Sequence, residues 1–164
     1  MEIISHTPLW FFALFAFLVV MGVRRLRTNT QQTGRVWLIP GVFIIWGLYG
    51  LVTRPGPLGP VLAEWAIGAA VGLVLASRMA IRVEVDRERG LVRQPGSWLP
   101  LVRNLFLLLS HYILNVLAAV RPDLHDVAIA LDIGVSGFSV GYFAAWSWGF
   151  LQSYRRAPDM ALAA

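Results

Sequence analysis

Apolar residues run along this chain in long blocks, and the polar residues collect between them. Five blocks stand out, at about 8–23, 36–52, 61–77, 98–120 and 127–152. A block that is apolar on every side predicts a helix surrounded by apolar material. About 20 such residues cross a hydrocarbon layer of about 30 Å. Pro8 suits the first turn of the first helix, where a missing N–H costs nothing. "TRPGPLGP" (53–60) breaks any helix and predicts a tight turn joining helices two and three as an antiparallel pair. "RPDLHD" (121–126) does the same for helices four and five, with Asp126 placed to cap the fifth.

One stretch follows another rule. In "IRVEVDRERGLVRQPGS" (81–97) polar and apolar positions alternate, turn through "DRERG" and resume. The pattern predicts a β-hairpin between helices three and four, with Asp86 opening the turn and Gly90 at positive φ. A lone hairpin is marginal in water, so it should rest on the helix ends or on a partner. Amide protection is expected at Val83, Val85 and Val92. The fold class that follows is an all-α bundle of five transmembrane helices with a small β-hairpin, in a single domain over 1–164.

The fourth block, "LVRNLFLLLSHYILNVLAAV", carries an Arg, two Asn, a Ser, a His and a Tyr. Arg103, Leu107, His111 and Asn115 are spaced by four and share a helix face, which Asn104 joins. A polar stripe facing lipid costs roughly 2.5–3.5 kcal/mol for an Arg at mid-membrane alone. The stripe is therefore expected to face other helices or a wet cavity, with Arg103 reaching back to the head groups. In the fifth block Asp132, Ser136 and Ser139 form a second stripe. Counting inward from the 121–126 turn places Asn115 level with Asp132, and His111 level with Ser136. Glu64, near the same end of helix three, is a further candidate for this layer, and His6 stands at the corresponding end of helix one. Carboxylate and imidazole together can relay a proton, hold a cation or grip a polar head group. The simpler reading is that these residues glue helices together. A metal site of His111, Asp132 and Glu64 has no sequence-local motif behind it, and His6 and His111 differ too much in depth to serve one haem. No catalytic motif, cofactor or metal is expected.

Composition turns these helices into a membrane protein. Of the 164 residues 57% are hydrophobic and 14% charged, against about 25% charged in soluble domains. There is no Cys, which excludes disulfides and thiolate chemistry. All 14 basic residues are Arg, and they cluster at the ends of the apolar blocks, which argues against nucleic acid as a partner. Arg24, Arg25, Arg27, Arg35, Arg78, Arg82, Arg87, Arg89, Arg93, Arg155 and Arg156 fall on one side of a five-span topology, and Arg54 and Arg121 on the other. The positive-inside rule then puts the hairpin and C-terminus in the cytoplasm and the N-terminus outside, in a bacterial inner membrane. Glu2 precedes the first block and "RRLR" follows it, so that block is expected to stay as a span and not to be removed as a signal peptide. Gly68-x-x-x-Gly72 and Gly137-x-x-x-Gly141 permit close helix contacts, within the bundle or between copies.

"SHTPLW" at the start, the Arg cluster after helix one and "PGSWLPL" before helix four resemble an uncharacterised family of small bacterial inner-membrane proteins. The resemblance implies a location and a helical architecture, and carries no catalytic residue. The functional expectation is a non-enzymatic membrane protein: an accessory or assembly subunit, or a stand-alone envelope protein. The alternative is a small carrier or sensor built on the Asp132/His111 layer. Expected partners are the lipid bilayer and a protein partner or a second copy.

Overall fold

The computed structural model describes residues 9–53 and 57–162. It is 75% helical, with five helices and a three-stranded sheet. Helix α1 is Leu9–Arg24, α2 is Thr33–Thr53, α3 is Leu58–Ser77, α4 is Leu99–Val120 and α5 is His125–Arg156. In α2 a first turn, Thr33–Val36, meets the longer stretch Leu38–Thr53 at Trp37. The apolar stretches α2 to α5 are long enough to cross a membrane, and α1 is a shorter apolar helix. His6, Pro8 and the centre of the 53–60 turn, with Arg54, lie outside the described residues.

Helix α5 is the hub. Of its apolar window 56% is buried, against 11–22% for α2, α3 and α4. The glycines explain one of its contacts. A Cβ on Gly68 or Gly72 would run into the carbonyl oxygens of Gly134 and Phe138; on Gly137 or Gly141, into those of Trp65 and Ala69. Both motifs therefore meet face to face, in a parallel α3–α5 pair whose backbones touch. Helices α2 and α3, expected to pack as an antiparallel pair, scarcely touch, because α3 takes its place against α5 through these glycines. Helix α2 approaches another face of α5, where Phe43 stacks on Phe143 with centroids 4.8 Å apart. Helix α1 packs on α4: Phe11 stacks on Tyr112 at 4.3 Å, and Gly22 sits against Leu101.

Strands β2 (Glu84–Asp86) and β3 (Leu91–Gln94) form the expected hairpin. Gly90 has φ 63°, and Asp86 Oδ1 accepts from Arg89 N at 3.0 Å. The sheet has a third strand, β1 (Asn29–Gln32), in the order β1-β3-β2. Val85 pairs with Val92, whereas Val83 precedes the strand and packs as a side chain beneath it. The hairpin does rest on the helix ends: Val92, Val36 and Phe150 share a cluster, joined by Ile81, Trp146 and Tyr154. Tyr154 joins it because α5 runs past its apolar block to Arg156. Beyond it the chain returns along β2, with Met160 N donating to Val85 O at 2.9 Å and Leu162 N to Asp86 Oδ2 at 3.1 Å. At the other end Asp126 lies within the first turn of α5 and does not cap it; the cap position is Leu124, with no side-chain hydrogen bond. Asp126 still faces the positive end of the helix dipole.

Candidate functional site

The two polar stripes meet at the interface of α4 and α5. His111 Nδ1 approaches Asp132 Oδ1 at 2.5 Å, and Asn115 Nδ2 donates to the same oxygen at 3.2 Å. Asn115 also donates to His111 O, one turn back, which fixes its amide. With the carboxylate as acceptor, the imidazole proton sits on Nδ1, and Nε2 is the nitrogen whose protonation can change. The Asp132 side chain is 1% exposed and that of His111 23%. The Trp46 ring from α2 lies on the imidazole, centroids 5.7 Å apart and planes 30° apart. An indole face at that distance favours a cation beside it.

These groups line a cavity of about 340 Å³ between α1, α2, α4 and α5. A cavity needs roughly 10–15 Å³ to hold one water, so this one holds several waters or a small solute. Phe11, Phe43 and Leu108 make its apolar wall; His111, Asn115, Asp132, Ser136 and Ser139 make the polar one. Ser136 Oγ donates to Gly47 O at 3.0 Å, bridging to α2 and not to His111 as counted depth had suggested. The register is offset because a side chain reaches along the helix as well as across it. Ser139 Oγ is buried and has no hydrogen-bond partner among the described residues.

Glu64 is not among the cavity residues. The α3 helix meets α5 on its glycine face, and Asp132 lies about 140° around the helix from Gly137 at roughly 100° per residue. Among the described residues no group of three His, Cys, Asp or Glu side chains comes together, so His111, Asp132 and Glu64 do not assemble as metal ligands. Trp46, Gly47 and Gly50 were not foreseen as cavity residues. Their contribution is a ring face, a backbone carbonyl and open space, none of which interrupts an apolar block.

The Arg103 guanidinium lies over the rings of Phe143 (4.4 Å) and Tyr142 (5.2 Å), with Nε donating to Asn104 Oδ1 at 3.1 Å. Asn104, 2% exposed, is thus a support for Arg103, away from the His111 cavity.

No family model matches this chain, and searches of curated proteins and of solved structures found no match for it. The resemblance carried by "SHTPLW" and "PGSWLPL" stays at the level of those motifs, the first of which lies largely outside the described residues.

Proposed function

We propose that the protein is a small integral membrane protein of the bacterial inner membrane, without enzymatic activity. In this reading it is a carrier or sensor that takes a proton, a cation or a polar head group at the His111–Asp132 pair. The observation that carries this reading is the placement of that pair. A hydrogen-bonded imidazole and carboxylate sit on the wall of a cavity of about 340 Å³, beside the Trp46 ring and the Ser139 hydroxyl. Helix glue alone fills its space; this pair borders an opening. The exposed apolar faces of α2, α3 and α4 support the membrane setting.

Histidine-selective NMR of the purified protein in detergent tests the site. The His111 resonance, assigned by its loss in His111→Gln, is expected to respond to pH and to added cations. A resonance indifferent to pH and to every cation would mean a sealed structural pair. The accessory-subunit reading keeps the charged sheet as its docking surface, whereas the glycine motifs that might have served it are occupied within the bundle.

The same proposal places the sheet in the cytoplasm. Arg24, Arg25, Arg27, Arg35, Arg78, Arg82, Arg87, Arg89, Arg93, Arg155 and Arg156 all belong to the sheet end of the chain. Reporter fusions between α2 and α3 and after Arg156 should report opposite sides, the second cytoplasmic; a shared side would overturn the five-span topology.

A further inference from the structure

A second pocket, separate from the His111 cavity, opens where α1, α4 and α5 meet the sheet. Its volume is about 170 Å³, room for more than a few waters. Arg25, Arg27 and Arg103 line it, and no Asp or Glu does. The hydrogen-bond partners of the two inner guanidiniums are neutral. Arg25 donates to Gln94 Oε1 (2.7 Å) and Gln31 Oε1 (2.9 Å), and Arg103 to Asn104. Burial pushes the Arg25 guanidinium below its usual pKa. At the start of α4 the Leu99 N–H is already taken by Ser97 Oγ and Pro100 has none, so the charge of the site comes from the arginines. Three cations and no carboxylate make a site short of negative charge. Met21, Ile39 and Trp146 make the rest of the wall apolar.

We propose that this pocket binds a phosphate group of net negative charge between Arg25, Arg27 and Arg103, carried by an anionic phospholipid or free in solution. Guanidinium forks match phosphate oxygens in pairs, and the apolar wall suits the glycerol and acyl carbons of a lipid. A zwitterionic head group would bring an ammonium to a site with no carboxylate to receive it.

The test uses the full chain in a non-ionic detergent and follows thermal unfolding while short-chain phosphatidylglycerol, short-chain phosphatidylcholine or inorganic phosphate is added. Phosphatidylglycerol should raise Tm saturably and phosphatidylcholine should not. If inorganic phosphate reproduces the rise at matched concentration, the free ion is the ligand; if only the lipid acts, the head group is. Arg103→Gln and Arg27→Glu should each raise the half-saturating concentration about tenfold or more, as loss of a charge-assisted hydrogen bond implies. Arg121→Gln, at the far end of the bundle, should leave it unchanged. Arg27 is exposed, so Arg27→Glu decides the matter if Arg103→Gln fails to fold. Saturation of Arg27→Glu at the wild-type concentration, equal effects of the two lipids, or no saturable rise with lipid or phosphate would each overturn the proposal.

Discussion

Replacing Asp132 by Asn and by Leu separates chemistry from adhesion at the α4–α5 interface. Asn keeps the volume of Asp132 and one acceptor oxygen for His111 Nδ1 and Asn115 Nδ2. Leu removes both hydrogen bonds and sets a methyl against the half-buried His111 ring, while exposed Asn115 keeps its bond to His111 O. Interhelical hydrogen bonds in membrane proteins average about 0.6 kcal/mol and reach about 1.7. Two of them put the loss with Leu at about 1–3 kcal/mol. For a chain of this size each kcal/mol moves Tm by about 2–4 °C, so Leu should lower Tm by roughly 2–12 °C. Asn should lower it by a degree or two at most. The cation-linked response of His111 should nevertheless disappear in Asp132→Asn, because a neutral amide cannot balance a cation. Thermal unfolding in detergent, run beside the histidine resonance, reads both effects on the same samples. If Asn leaves the His111 response intact and only Leu destabilises, the pair is a fastener and the proposed site fails. If Asn destabilises as much as Leu, the charge itself holds the helices, and the division between chemistry and adhesion is wrong.

Two further perturbations probe the scaffold. Gly141→Ala sets a methyl against the Ala69 carbonyl and should cost about 1–3 kcal/mol by forcing α3 and α5 apart, whereas Gly41→Ala, which meets nothing within 4 Å, should be neutral or gain up to about 1 kcal/mol of helix propensity; equal Tm values for the two would refute the close α3–α5 contact. Backbone hydrogen bonds from Arg89 and Leu162 hold the Asp86 carboxyl below its usual pKa. A depressed carboxylate stabilises the fold above its unfolded pKa of about 3.9, and that contribution is lost as pH falls through the lower folded value. The Leu162 amide resonance should therefore stay sharp at neutral pH and broaden only in acid, below about pH 4; release of the tail near neutrality would contradict that assignment.

The helices were legible because membrane-length apolar blocks leave the backbone no other way to satisfy its hydrogen bonds. Their ends were less so. Helix α5 continues through "LQSYRR", whose polar residues mark the end of the apolar layer and not of the helix. Strand β1, "NTQQ", was invisible: it lacks alternation, and Gln31 and Gln32 show nothing of the β3 edge they pair with. The hairpin could be read because Asp86 and Gly90 announce a turn and valines alternate before it. At the site, the Asn115–Asp132 contact follows from spacing and depth, whereas His111, counted level with Ser136, reaches along the helix to Asp132 instead. The Trp46 ring and the Gly47 carbonyl do not follow, because a ring face and a backbone oxygen belong to any apolar helix. The parallel α3–α5 partnership was half legible: both glycine motifs could be seen, but not that they face each other.

The three-stranded sheet gathers segments made at very different times. Strand β1 leaves the ribosome after the first helix, yet its neighbour β3 follows only when α2 and α3 have been made, and the tail that runs along β2 comes after α5. Closing such long loops is slow, because the chain loses its freedom before any contact repays it. The three strands are all made before α4, and only the tail along β2 has to wait until the fifth helix has been made. A chain stopped short of the tail would carry an unpaired β2 edge, which is what quality-control proteases and aggregating neighbours recognise. The tail thus decides whether the β2 edge is covered.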